Sequence, residues 1–321
     1  MTKMPINTES VKELVHRLQE NISLVIKGKD EIIRKTLLCF LCGGHILLED
    51  LPGTGKTTLA KSLAKSLNCE FKRVQFTPDL LPSDLTGINF YHQKKEEFIF
   101  RQGAIFTNVL LADEINRATP RTQSSLLECM EEGQVSVDGE TYQLSQPFLV
   151  IATQNPIEIQ GTYPLPEAQL DRFFMKLSIG YPGHESEKNM LSTFILNSPL
   201  QALNAVATGE ELIKAQQLVR GVLVGEAIRE YIVSLAEATR EDEDLRFGVS
   251  PRGSLALMRA SQANAAVEGR NFVLPDDVKS VCEDVWCHRL LCRGRFTAQD
   301  SASHEIIQRI LARTKVPTEN S

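Results

Sequence analysis

One glycine-rich turn, flanked by two different hydrophobic periods, limits this chain to a narrow set of folds. The apolar run His45-Ile46-Leu47-Leu48-Glu49 ends in Leu51-Pro52-Gly53-Thr54-Gly55, after which Leu59, Ala60, Leu63, Ala64 and Leu67 repeat at helical spacing. A short continuous apolar run predicts a buried strand, and the 3.6 period over 57–67 predicts a helix. The alternation returns further on. Residues 71–76, 109–112 and 148–152 are compact apolar runs, with a helical pattern over 120–132 between the last two. Strands alternating with helices imply a mostly parallel sheet covered on both faces, an α/β core with five parallel strands flanked by helices.

Two segments break the alternation. Residues 83–103 carry Ile88-Asn89-Phe90-Tyr91 and Glu97-Phe98-Ile99-Phe100 around the polar His92-Gln93-Lys94-Lys95, a hairpin pattern with a charged tip. Residues 134–147 begin with apolar–polar alternation around Asp138-Gly139, the strongest short hairpin signal. Both tips are expected to be solvent-exposed, with no need of internal packing. Ahead of the first strand, 11–26 has helical spacing and breaks at Gly28, and a second helix is expected from Asp30 as N-cap to Cys42. After Tyr181-Pro182-Gly183 the strand runs stop and the pattern is helical, with Ser250-Pro251 as an N-cap followed by proline at the first helical position. A length of 321 residues exceeds one comfortable core, so we expect an α/β unit over 1–182 and a smaller all-α unit over 183–321 that ends in a short polar tail.

With 42% hydrophobic and 24% charged residues the composition is that of a soluble globular chain, and no apolar run approaches the roughly 20 residues that span a bilayer. Residues 1–10 contain no apolar signal core. The odd count of seven cysteines fits a reducing compartment, so a cytoplasmic protein is expected. Cys39 and Cys42, although spaced as C-x-x-C, sit in an apolar helical run and are expected as small buried hydrophobes. A net charge of −6 argues against general adhesion to nucleic acid or anionic lipid.

The turn itself carries chemistry. Glycines between a strand and a helix let backbone N–H groups curl around a phosphate chain at the helix N-terminus, where the dipole favours negative charge. Pro52, Gly53, Thr54, Gly55, Lys56, Thr57 and Thr58 are the candidate nucleotide contacts, with Lys56 reaching the β- and γ-phosphates and the Thr57 hydroxyl holding Mg²⁺. The general pattern G-x-x-x-x-G-K-[ST] has glycine where this chain has Asp50. Val109-Leu110-Leu111-Ala112-Asp113-Glu114 is a buried strand ending in two acids: Asp113 is the second candidate Mg²⁺ residue, and Glu114 the group that polarises an attacking water. Together the two elements predict a nucleoside triphosphate bound with Mg²⁺.

The order of phosphate loop, Asp113-Glu114, Thr153-Gln154-Asn155-Pro156, Leu170-Asp171-Arg172-Phe173 and Ser250-Pro251-Arg252-Gly253 resembles an AAA+ ATPase. The wording of residues 44–50, 76–84, 113–118 and 152–156 resembles the MoxR family in particular, and the likeness runs over about residues 26–259. The resemblance implies an AAA+ core followed by a helical lid, ATP and Mg²⁺, and a homo-oligomeric ring, a hexamer. It implies that Asn155 positions the lytic water, that Arg172 is a finger acting on the neighbouring subunit's γ-phosphate, that Arg252 is a second sensor at the start of a lid helix, and that Ile26 and Gly28 pack against adenine. Read without it, Asp171-Arg172 would be a surface ion pair. The hairpins then match inserts that face a central pore or the partner.

Three functions fit such a chain. The first is an ATP-driven, chaperone-like machine that remodels or matures a protein complex, with a von Willebrand factor A-domain protein as the partner the resemblance implies. The others are a nucleic-acid motor and a nucleotide-gated binding module with little turnover. Charge weighs against the motor: no Lys or Arg lies between Arg121 and Arg172, and at the other tip Lys94 and Lys95 stand beside Glu96 and Glu97. The presence of Glu114 and Arg172 weighs against the module.

Overall fold

The computed structural model describes residues 8–156, 161–194, 199–293 and 299–317; the start of the chain and the end of the polar tail lie outside them. Two helices come first, α1 (Thr8–Ser23) and α2 (Asp30–Leu41), then β1 (Ile46–Glu49), α3 (Lys56–Ser66), β2 (Phe71–Gln75), α4 (Pro82–Thr86), β3 (Gly87–His92), β4 (Glu97–Gln102) and β5 (Val109–Asp113). Next are α5 (Pro120–Glu132), β6 (Gln134–Val137), β7 (Glu140–Gln143), β8 (Leu149–Gln154), α6 (Glu167–Leu170) and β9 (Met175–Leu177). The remainder comprises α7 (His184–Phe194), α8 (Pro199–Ala202), α9 (Gly209–Arg220), α10 (Glu226–Arg240), β10 (Leu245–Phe247), α11 (Pro251–Val267), α12 (Pro275–Trp286), β11 (Leu291–Cys292) and α13 (Gln299–Arg313).

The main sheet is parallel, with strand order β2-β5-β8-β1-β9. Its three central strands are buried on both sides, which is why they read as unbroken apolar runs. Side chains nonetheless sort by the period of two. Ile46, Leu48, Leu111 and Ile151 face a core shared with α1, α2 and α3, whereas Leu47, Leu110, Ala112 and Val150 face a second core with Phe76, Leu126 and Phe173. The first core continues without a break into Leu235 of α10, Leu257 of α11, Val285 and Trp286 of α12, and Ile307 of α13. Each such fully buried side chain contributes roughly 1.5–3 kcal/mol. Among the described residues, the elements after β9 are helices apart from the short antiparallel ladder of β10 on β11 and an isolated parallel bridge between Leu223 and Phe272.

Two local expectations are corrected. Asp30 is the first helical residue and not the N-cap, which is Lys29; its carboxylate lies in the first turn, where the helix dipole favours it, and accepts a bond from Ser23 Oγ at 2.8 Å. Both hairpins form, β3 on β4 and β6 on β7, and Asp138 and Gly139 both have positive φ, as their two-residue turn requires. Their tips are exposed, but the hairpins do pack internally, against each other. Phe100 stacks on Tyr142 at 4.0 Å, and Asn89 Nδ2 donates to Asp138 Oδ2 at 2.9 Å.

Candidate functional site

Because the five strands run the same way, the loops after β1, β5 and β8 open at one edge of the sheet, the usual place for a ligand in such folds. The loop between β1 and α3 turns through Gly53 (φ +85°) and Gly55 (φ +94°); an added Cβ would meet nothing within 4 Å at either, so the left-handed backbone alone demands glycine. Gly55 is also the N-cap of α3 and provides no side chain to that helix's first N–H groups, which stay available to an anion. Lys56 Nζ donates to the carbonyls of Asp50 (2.8 Å) and Leu51 (3.3 Å), holding its ammonium within the loop.

Pairing of β2, β5 and β8 assembles the acidic part. Thr153, a fully buried residue of β8, donates its hydroxyl to Asp113 Oδ1 at 2.6 Å and accepts the Glu114 N–H at 2.9 Å. Glu114 is held at φ +56°, a costly conformation for a side chain with a Cβ, of the kind that clusters at functional sites. From β2, Arg73 donates through Nε (3.1 Å) and Nη2 (2.6 Å) to Asp113 Oδ2, and Gln75 Nε2 donates to Glu114 Oε2 at 2.6 Å. Arg117 Nε lies 3.1 Å from the same Oε2.

Gly53, Lys56, Thr57, Asp113, Glu114 and Asn155 thus line one cleft of about 550 Å³, which Pro52, Gly55 and Thr58 also border. Among the described residues of its walls, Arg73 pairs with Asp113 and Arg117 with Glu114, and Lys56 is a third cation, held by loop carbonyls. The cleft's oxygen donors, the Thr57 hydroxyl and the Asp113 carboxylate, are those a hard cation such as Mg²⁺ takes, and Asp113 Oδ1 keeps acceptor capacity beyond its one bond from Thr153. Thr54 is not part of the lining; its hydroxyl donates to Leu51 O at 3.2 Å.

The other sequence-predicted residues lie elsewhere. Ile26 is half-buried against the first core. Gly28 borders a second cleft, of about 280 Å³, with Lys29, Ser178, Ile179 and Asp284. Its φ of +67° and the position of Ser186 Oγ, 2.0 Å from where a Cβ would sit, both demand glycine and show how closely the chain passes α7. Burial raises the Asp284 pKa above the usual carboxylate range, against the opposing pull of the Lys35 ammonium 3.0 Å away.

Arg172 and Arg252 come together in a third cleft of about 310 Å³ that contains no residue of the phosphate loop. Arg172 Nε is 3.1 Å from Glu131 Oε2, and Arg252 Nη2 pairs with Oε1 of the same carboxylate. The surface ion pair that Asp171-Arg172 would suggest without the family resemblance is not formed. Asp171 instead pairs with the buried Arg289, at 2.6 Å from its Nε, and accepts a bond from Ser250 Oγ, because the turn after α6 directs these neighbouring side chains to different partners. Burial lowers the Arg289 pKa from its usual value, opposed by Asp171.

From sequence alone Arg73, Gln75, Arg117, Glu131 and Thr153 receive no role, although Arg117 and Thr153 lie within the motif segments 113–118 and 152–156. Arg73 and Gln75 carried a signal of another kind: two polar residues two apart near the end of a strand, hence on one face.

Residues 45–175 match the family described as the ATPase family associated with various cellular activities, and residues 237–310 match the AAA lid domain. The chain is 46% identical over 313 residues to the uncharacterized protein YeaC of Bacillus subtilis, with 98% of each chain covered. It is 40% identical over 329 aligned positions to Chaperone MoxR1 of Mycobacterium tuberculosis, covering 99% of this chain and 87% of that one. Protein MoxR of Paracoccus denitrificans is 34% identical, over 83% of this chain and 85% of its own. The crystal structure of a candidate ATPase from Cytophaga hutchinsonii superposes with a TM-score of 0.88 at 37% identity, covering 97% of both chains.

Proposed function

This chain belongs to the MoxR family of AAA+ ATPases, and from that premise we propose that its phosphate-loop cleft binds ATP with Mg²⁺ and hydrolyses it to ADP and phosphate to remodel a protein complex. The observation that carries the reading is the convergence of Lys56, Thr57, Asp113, Glu114 and Asn155 from three parallel strand ends on one cleft. In this reading the loop N–H groups and Lys56 take the phosphates, and Thr57 and Asp113 hold Mg²⁺, which when bound neutralises charge on the phosphate oxygens. Glu114 accepts a proton from the attacking water. Gln75 and Arg117 both engage Oε2, so Oε1 remains for that task. The Asn155 side chain orients the same water.

Residues 1–182 serve as the nucleotide-binding core and 183–321 as the lid. Arg172, with Arg252 beside it on Glu131, acts on the nucleotide of the next subunit in a hexameric ring. This is supported by the separate cleft that holds the two arginines, and it requires neither to reach its own Lys56. The name of the mycobacterial relative supports a chaperone role for the machine, with a protein client in which a von Willebrand factor A-domain partner is the class to test first.

Glu114→Gln keeps the shape of the side chain and removes the proton acceptor. It should bind ATP within a few-fold of the parent chain while phosphate release falls by about 10²- to 10⁴-fold. Chelation of Mg²⁺ should stop release in the parent. Turnover near the parental rate in the variant would show that Glu114 is a turn residue only.

A further inference from the structure

Asp50 occupies the position where the general phosphate-loop pattern has glycine, and its side chain has a partner that glycine could not have. The residue is buried, at 7% exposure, and is not among those that line the phosphate-loop cleft. Oδ1 accepts from Ser178 Oγ and from the Gly180 N–H, both at 3.1 Å, and Oδ2 accepts from the Ile179 N–H. All three donors belong to the strap between β9 and α7, which leads from the sheet into the lid. The strap's carbonyls are held from its other side: Lys29 Nζ donates to Ile179 O at 2.6 Å and to Tyr181 O at 2.7 Å.

The main chain of Asp50 faces the other way. Its carbonyl accepts from Lys56 Nζ at 2.8 Å. One residue therefore touches the phosphate-binding ammonium through its carbonyl and the lid strap through its carboxylate. It also stands between two clefts, since Lys56 lines one while Ser178 and Ile179 line the other, beside Gly28. A phosphate chain competes for the same ammonium that bonds Asp50 O, and a carbonyl that loses an ionic donor can reorient while the Asp50 N–H keeps its bond to Gln154 O at 3.3 Å. Asp50 cannot turn without disturbing three hydrogen bonds to the strap.

We propose that Asp50 is a positioning residue that transmits occupancy of the phosphate loop to the lid through the strap Ser178-Ile179-Gly180. The proposal rests on the reading of the Lys56 loop as a nucleotide site and goes beyond it in assigning the coupling to one side chain. A carboxylate ligated by two N–H groups and a hydroxyl is a directional clamp, because each bond weakens steeply as the angle departs from linear. Small rotations of residue 50 thus become displacements of the strap.

The test uses the full chain, ATP and a non-hydrolysable ATP analogue, with hydrogen exchange read on peptides spanning 177–182. In the parent chain the analogue should change exchange of the Ile179 and Gly180 amides at least threefold. Asp50→Gly, which restores the general pattern, should bind ATP within about threefold of the parent, lose at least tenfold in kcat, and lose the nucleotide-dependent change in strap exchange. Asp50→Asn keeps one acceptor oxygen and should fall between the two. An effect on KM alone, or strap exchange in the parent that does not respond to the analogue, would overturn the coupling; the second result needs no variant to fold. If the parent chain bound no ATP, the nucleotide reading would fall and the coupling with it. Normal binding and turnover in the parent, together with an Asp50→Gly chain that turns over at the parental rate, would overturn the coupling alone.

Discussion

At the scale of single residues, Lys56 and Glu114 show two ways in which a side chain becomes available for chemistry. Lys56 is retained by loop carbonyls, an arrangement with little to strain, so its loss should leave the fold intact. Lys56→Ala should weaken ATP binding by roughly 10- to 100-fold, the worth of one charge-assisted contact, with an unchanged thermal melt; calorimetric titration checks it. Affinity equal to the parent would remove Lys56 from the site. Glu114 is instead held in a left-handed conformation by its N–H bond to Thr153, and its carboxylate is held by Gln75 and Arg117. Lys56, Thr57, Asp113 and Glu114 were legible in the sequence because each belongs to a motif contained within a few residues. Thr153 and Gln75 were not, since they reach Asp113 and Glu114 only through strand pairing across about 40 residues of chain.

Among the elements, β1 is preceded immediately by a histidine whose environment gives it a measurable signature. The His45 ring is buried against Phe148: Nδ1 accepts the Val150 N–H at 3.0 Å, so Nε2 carries the hydrogen that is donated to Met130 O at 3.0 Å. Burial lowers its pKa to about 4 from 6.5. Between those values the unfolded chain binds the proton and the folded chain does not. The stability is therefore fully present above about pH 6.5 and is lost as the pH falls toward 4, by roughly 2 kcal/mol at pH 5 from this residue. His288, also buried and lowered, adds in the same direction. Urea unfolding at pH 7 and pH 5 should show the loss, and His45→Asn should reduce the difference without abolishing it. An unchanged difference in that variant would place the titration elsewhere. The hairpins make the complementary point: their existence follows from local alternation and Asp138-Gly139, whereas the stacking of Phe100 on Tyr142 depends on where the sheet brings two separate inserts.

For the whole molecule, the arrangement of Arg172 predicts behaviour that no isolated subunit can show. Arg172 and Arg252 share Glu131 in a cleft apart from the phosphate loop. If Arg172 serves a neighbour, turnover per subunit should rise with protein concentration. Arg172→Ala should keep ATP binding and lose on the order of 10³- to 10⁵-fold in rate. Mixing Arg172→Ala with Lys56→Ala, which retains a finger, should recover activity at mixed interfaces. Hydrolysis independent of concentration, with no recovery on mixing, would refute the assignment. The continuous apolar core from the sheet face into α10–α13 gives the lid a firm seat, so a signal that moves the lid has to act at a defined joint, and the strap held by Asp50 and Lys29 is one.

By itself the sequence determined the α/β alternation, the two hairpins, the helical remainder and the glycine-rich loop between β1 and α3. All of these are written in local hydrophobic periods, in turn residues and in motifs short enough for neighbours in the chain to be neighbours in space. Only the tertiary structure decided the strand order β2-β5-β8-β1-β9, the meeting of Arg172 with Arg252 on Glu131, the pairing of Asp171 with Arg289 and the hold of Asp50 on the strap. These depend on which strands lie side by side. That choice is set by how the whole chain buries both faces of one sheet, and no local period encodes it.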